Sequence, residues 1–372
     1  MMRSFQPKSD FEREVIGYCE REFGGLKNFH IHGDRAYTRR NEYYGETGKS
    51  VEELERATLP EKQNLTWILH RGKAFSSECI EERLRRLIEE SIMFGVTELH
   101  TTADVTYNTG LKSLEVAEKL QKEYKDKIKI KIGAYNPSGF KIRGLRERDG
   151  GLSDRRFELF EEAAKRADFL VALAEKDDKP GHIGRHQHTL YIAGLSYRLQ
   201  KPAQYHIGQA NSPNDRSVEN WLNDLRFIQE EVFTEAPEKF PDQIAVHAIS
   251  PSCKNEEEFN KIADEMAERN ISLIVCPRAA LSMLQRYHEK AYIHNSIAKA
   301  WDFATRGMRV MLGVDNLDDI FVPASSADVY EELEYLANSL RFYHPRILAK
   351  VLAGERLDTF DISTIKDTLF RN

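Results

Sequence analysis

The stretch Lys27-Asn28-Phe29-His30-Ile31-His32-Gly33-Asp34 ends an apolar run with two histidines one residue apart and then breaks at glycine. On a strand, side chains two apart point to the same side. His30 and His32 would then share one space, about 7 Å apart along the strand. Two neutral imidazoles so placed can chelate a borderline-soft divalent metal. The alternative is two unrelated polar residues near a strand end. Three later residues weigh against it: His206, His247 and Asp315 each close a short apolar run of their own.

The elements that must position these residues follow a regular order. Residues 10–23 form an amphipathic helix, with Phe11, Val15, Ile16, Cys19 and Phe23 on one stripe. Gly24-Gly25 stops it and the strand ending in His30 and His32 follows. Residues 33–77 are polar and aromatic, without a clear period. A connection this long is usually functional or disordered; it is read as a cover over the site, a lid with some short helix. From Ser77 onward, helical patterns alternate with short apolar runs. VTELHTTADV, KIKIKIGAYN, DFLVALAE, PAQYHIG, QIAVHAIS, ISLIVCP and MRVMLGVD are the further strands. With the first, that makes eight βα repeats.

Such alternation argues a parallel sheet, and eight repeats argue a closed (β/α)8 TIM barrel, an α/β fold. An open doubly wound sheet would need a Gly-rich phosphate turn after its first strand, and HIHGDRAY is not one. Residues 1–372 are read as a single barrel domain, with a helical tail over 348–372. About 26 residues precede the first strand, so no flanking β-sandwich is expected. In a barrel of this kind, catalytic groups lie at the C-terminal ends of the strands. His30 and His32 end strand one, His206 strand five, His247 strand six and Asp315 strand eight. Residues almost 300 positions apart in sequence are thereby expected at one mouth.

Composition narrows the partners. Net charge is -6 with the two signs well mixed, which gives no nucleic-acid footprint and no basic membrane face. Cys19, Cys79, Cys253 and Cys276 form no CxxC pair, and the N-terminus has no signal-peptide core. A cytoplasmic protein acting on a small molecule is expected, with homo-oligomers left open.

The set of HxH after strand one, His after five, His after six and Asp after eight resembles the amidohydrolase superfamily. Within it, the chain is most similar to the cytosine deaminase branch. NSIAKAWDFATRGMRVMLGVDNLDDIF resembles that branch's final strand and metal aspartate, and TELHTTADV its second strand. The resemblance runs from about Lys27 to Tyr343. It implies that His30, His32, His206 and Asp315 bind one divalent metal ion, zinc or iron. It also implies that His247 orients or polarises the activated water and that Asp315 takes a proton from it. The chemistry stands on general grounds too: a divalent metal brings the pKa of water towards neutrality, and a neighbouring carboxylate can collect the proton.

Two departures separate this chain from that branch. Its deaminases carry a glutamate three residues after the strand-five histidine, which shuttles a proton to the ring. Here the sequence is His206-Ile207-Gly208-Gln209. Gln209 can donate a hydrogen bond but cannot deliver a proton at neutral pH. Asp34 and Asp104 are candidates to supply it instead. The branch also places a pyrimidine-reading glutamine after strand three, where this chain runs Tyr135-Asn136-Pro137-Ser138-Gly139. Asn136 is a substrate-binding candidate; the bland alternative is a turn.

Asn316, beside Asp315, and Arg185 complete the expected substrate-binding set. Arg185 lies in Gly181-His182-Ile183-Gly184-Arg185-His186-Gln187-His188, either a recognition cluster for an acidic or heteroaromatic group or a solvated loop. Lys176, in AEKDDK, could be the bridging carboxylated lysine of binuclear relatives but reads more simply as part of a charged surface loop, and His100 reads as an ordinary surface or hydrogen-bonded residue that could reach the site. The expected function is a metal-dependent hydrolase of a C–N bond in a small cyclic or heteroaromatic compound, deaminase-like in chemistry. The alternatives are a catalytically silent ligand-binding member and an amide or ring-opening amidohydrolase.

Overall fold

The computed structural model describes residues 6–142, 155–232, 240–282 and 297–370. Eight parallel strands run in sequence order around one sheet: β1 (Leu26–Ile31), β2 (Val96–Asp104), β3 (Lys129–Tyr135), β4 (Phe169–Ala172), β5 (Ala203–Ile207), β6 (Gln243–His247), β7 (Ser272–Val275) and β8 (Val310–Leu312). All are built from the apolar runs read in the sequence. Closure occurs just past β8, where Ile31 and Asp315 form a parallel bridge. There the Asp315 N–H donates to the His30 carbonyl at 2.9 Å and the His32 N–H donates to the Asp315 carbonyl at 2.8 Å. The result is a (β/α)8 TIM barrel. Gly313 permits this seam, because a Cβ at that position would lie 2.8 Å from His30 Cβ and 2.9 Å from its carbonyl oxygen.

The helices are α1 (Asp10–Glu22), α2 (Val51–Glu55), α3 (Leu59–Arg71), α4 (Ser77–Met93), α5 (Lys112–Glu123), α6 (Arg156–Arg166), α7 (Arg185–Leu199), α8 (Ser217–Phe227), α9 (Glu256–Glu268), α10 (Pro277–Ser282), α11 (Ala300–Ala304), α12 (Val329–Leu340), α13 (Pro345–Ala353) and α14 (Thr359–Leu369). Helix α4 shows the rule for the outer ring. The Ser76 side chain accepts the Cys79 N–H at its start, and Ile80, Leu84, Leu87 and Ile88 bury one stripe. Helices α13 and α1 pack together below the seam, with the Cys19 thiol donating to the Ala349 carbonyl at 3.4 Å. Among the described residues every strand belongs to the barrel sheet, and no helix is long and apolar enough to cross a membrane.

Residues 33–77 are more ordered than their composition suggests. They hold α2 and the 13-residue α3, whose entry is fixed by a capping box of Thr58 and Glu61 with Pro60 in the first turn. The sequence hides α3 because its buried positions mix Leu59, Ile68 and Leu69 with Lys62, Thr66 and His70. A helix that packs over a polar barrel mouth does not show an apolar stripe.

Candidate active site

His30 is the penultimate residue of β1 and His32 follows its end; His206 lies in β5, and Asp315 follows β8. Pleat alternation turns His30 and His32 inward together, with ring centroids 5.0 Å apart. His30 Nε2 lies 3.0 Å and His32 Nε2 3.2 Å from His206 Nε2. Asp315 Oδ1 lies 3.5 Å from His30 Nε2 and 3.3 Å from His32 Nε2. One ligand atom from each of the four falls within 4.8 Å of the others, and all four residues are buried.

The surrounding hydrogen bonds decide what these nitrogens can do. The Gln204 side chain donates its amide to the Phe29 carbonyl at 3.0 Å, which turns its oxygen to His30 Nδ1 at 2.7 Å. His30 Nδ1 must therefore carry the proton, leaving a lone pair on Nε2. His206 Nδ1 faces the Ala172 carbonyl at 3.3 Å, with the same consequence. Two bare lone pairs thus face each other across 3.0 Å, which is repulsive unless a cation lies between them. Asp315 Oδ1 is buried without a hydrogen-bond partner. Nitrogen and oxygen donors on a tetrahedral zinc, with bonds of about 2.0–2.2 Å, stand about 3.3 Å apart. The four separations of 3.0–3.5 Å lie near that spacing, and the donor set fits one divalent metal. Burial and neighbouring rings hold His206 well below the usual histidine range, and burial brings His32 down to about 3. His30 and His32 hold Asp315 well below the carboxylate range despite burial.

His247, the last residue of β6, places Nε2 3.8 Å from Asp315 Oδ2. Among the described residues, neither of its buried ring nitrogens has a hydrogen-bond partner. Burial lowers its pKa to about 4, so the ring is neutral. His247 and Asp315 adopt φ of +79° and +65°, a conformation uncommon outside glycine. Such strain persists where surrounding structure imposes it, and it clusters at functional sites.

A cavity of about 30 Å³ opens onto this cluster. Its lining includes His32, His206, His247 and Asp315 of the cluster, with Tyr135, Gln209, Asn316 and Phe321, and Leu59, Gln63 and Thr66 from α3. Gln209 and Asn316 thus stand on the cavity wall, and the Asn316 amide donates to Asp319 at 2.7 Å.

Other expected residues are placed elsewhere. Asn136 is spent in a turn, accepting from the Ser138 N–H at 3.0 Å and donating to the Gly139 carbonyl at 3.0 Å. Arg185 stays outside the cavity, pairing with Asp178 at 3.7 Å. His182 and His188 are clamped by Asp177 at 2.7 and 2.8 Å, and His186 meets Asp224 at 2.6 Å. His100 bonds Glu98 at 2.8 Å and lines a different pocket with Lys27, Lys129 and Lys131. Asp34 and Asp104 do not line the cavity. Asp34 accepts the Asp104 N–H at 2.6 Å, and Asp104 meets His70 at 2.8 Å and Arg35 at 3.4 Å.

Three residues of the site were not singled out for it. Gln204 stands two before His206 on the same strand, so its inward face was legible from the period of two. Arg35 and Lys176 both line the cavity. Lys176 is therefore not a surface-loop residue. Burial, with help from Lys179 and Arg35, brings its pKa down to about 8. No sequence period governs either position, since both follow strand ends.

No protein-family model and no curated protein matches the chain. Solved structures do. The 5-methylcytosine deaminase from Klebsiella pneumoniae liganded with 5-fluorocytosine aligns over 92% of this chain and 72% of its own, with TM-score 0.67 and 17% identity. N-isopropylammelide isopropylaminohydrolase from Burkholderia multivorans covers 92% of this chain and 74% of its own, with TM-score 0.62 and 19% identity. Arabidopsis ADAL complexed with IMP covers 93% and 96%, with TM-score 0.55 and 12% identity. At these identities the likeness establishes that the chain shares the barrel fold of these proteins.

Proposed function

We propose that this protein is a metal-dependent hydrolase of the amidohydrolase type that cleaves a C–N bond of a small cyclic or heteroaromatic compound. The observation that carries the reading is the meeting of His30, His32, His206 and Asp315, whose ligand atoms lie within 4.8 Å of one another, with Nδ1 of His30 and His206 tied outward. The similarity in fold to a cytosine-type deaminase and to an aminohydrolase supports the same class. A divalent cation held there, zinc or iron, would supply Lewis acidity that lowers the pKa of water towards neutrality. Asp315 can offer one carboxylate oxygen as ligand while the other, beside His247, receives the proton of the attacking water. His247, neutral and with both nitrogens unpartnered, is placed to hydrogen-bond that water or the forming oxyanion.

Gln209 separates this protein from deaminases that protonate a ring nitrogen. Its neutral amide orients a substrate by hydrogen bonding and delivers no proton. The pyrimidine-reading glutamine is also missing, since Asn136 closes a turn. Both differences favour a substrate other than cytosine. Metal analysis of the purified protein, followed by ammonia release across cyclic amines and amides, tests this reading. About one divalent ion per chain and turnover of at least one member are expected. Cytosine kcat/KM at or above about 10⁴ M⁻¹s⁻¹ would refute the changed-substrate reading. A metal-free protein without turnover would move the assignment to a silent ligand-binding barrel.

A further inference from the structure

The ionisable groups lining the cavity do not balance. Arg35 and Lys176 stand in its wall, and the lone carboxylate there, Asp315, belongs to the metal cluster. Among the described residues, Lys176 makes no side-chain ion pair or hydrogen bond. The acid nearest Arg35 is Asp104, 3.4 Å from Nε, and the buried Asp34 and Asp319 farther off also favour its charge. Asp104 is shared with His70 at 2.8 Å and lies behind the cavity wall. That leaves the terminal guanidinium nitrogens without a described partner. The guanidinium is held beside the Tyr135 and Phe321 rings, 5.7 and 5.9 Å from their centroids. Tyr135 in turn packs 5.4 Å from the His206 ring. One aromatic ring thus separates the guanidinium from the metal cluster. A rigidly seated guanidinium presents the fork that matches a carboxylate, and a lysine adds a mobile point charge. Two cations in a confined cavity otherwise repel each other and lose hydration, so a ligand anion would relieve both costs.

We propose that the substrate carries a carboxylate, bound between Arg35 and Lys176, with its reacting carbon directed to the metal cluster. This rests on the hydrolase reading of the site and names the substrate class within it: a small heterocyclic or cyclic acid.

Binding is the test, measured by calorimetry on the full-length protein supplied with zinc. Three pairs differ by one anionic group: orotate against uracil, 5-carboxycytosine against cytosine, and CMP against cytidine. A charge-assisted hydrogen bond contributes enough for at least about a tenfold preference. The carboxylated member of at least one of the first two pairs is expected to bind tighter by that factor. Lys176→Met should reduce the preference several-fold, with the neutral partner's Kd as internal reference. Arg35→Lys, which keeps the charge and removes the fork, should reduce it too. Lys176→Met keeps the test decisive if the Arg35 variant fails to fold. Equal affinities within both carboxylate pairs, or no measurable binding of either acid, would overturn the proposal. So would a full preference surviving in Lys176→Met, or a preference confined to CMP. Ammonia release is followed in parallel. A retained carboxylate preference with no turnover of any cyclic amine or amide by the metal-loaded protein would refute the hydrolase reading and leave the anion site standing. Turnover of neutral amines without that preference would do the reverse.

Discussion

Two groups of histidines with an aspartate stand near the same barrel mouth, and they are wired in opposite ways. In the first, His30 and His206 point their Nδ1 protons outward at Gln204 and the Ala172 carbonyl. Their bare Nε2 atoms face one another, and Asp315 Oδ1 has no hydrogen-bond partner. In the second, Asp177 accepts His182 Nδ1 on one oxygen and His188 Nδ1 on the other, and the Phe140 N–H bonds both. The acid of the second group is saturated, and it staples the segment after β3 to that after β4. Gly139 makes room, since a Cβ there would collide with the Asp177 carboxylate. The same residue types therefore give a ligand set or a structural clamp although Nδ1 is the tied nitrogen in both; what differs is whether the carboxylate itself takes those Nδ1 protons or is left free.

The largest expected effect would break the first group outright. Replacing His30 and His32 together with alanine should abolish metal uptake and hydrolysis while leaving the circular dichroism spectrum in place. Full metal occupancy in that double variant would disprove the ligand assignment. Next comes Gln209→Glu, which places an acid on the wall above the first group. General acid help is typically worth about 10²–10⁴-fold, so ammonia release from an aminated heterocycle that needs ring protonation should rise. Activity on the native substrate should fall, because a negative charge replaces a donor. An increase on both would show that Gln209 merely stands for a lost acid.

A smaller effect should come from Gln204→Leu, which touches no ligand atom of the cluster other than through His30 Nδ1. Loss of such an orienting partner typically costs about 10–100-fold in metal affinity, read by competition with a chelator. Unchanged affinity would show that His30 needs no orienting bond. The smallest is Asp177→Asn in the second group. It should lower stability by about 1–3 kcal/mol, seen in denaturant unfolding, and leave metal content unchanged. A loss of metal in this variant would erase the distinction between the two groups.

How far each feature was legible follows from the range of the interaction behind it. Strands β1–β8 could be read because each is a short apolar run between helical patterns, a local property. The inward aim of His30, His32 and Gln204 follows from pleat alternation, also local. Helix α3 was harder, because its covering face meets polar side chains and shows no stripe.

The amino-acid sequence by itself determined the barrel, the strand ends and therefore the set His30, His32, His206, His247 and Asp315 as neighbours. Only the tertiary structure decided the roles of residues beyond those ends. Asn136, Arg185 and the histidines of 182–188 were plausible site residues by type, yet nearby partners hold them elsewhere. Arg35 and Lys176, unremarkable in sequence, line the cavity. The physical reason is that a side chain past a strand end has no period to fix its direction. Its aim is set by partners far away in the chain, such as Asp104 for Arg35 and Tyr135 and Phe321 for its guanidinium face.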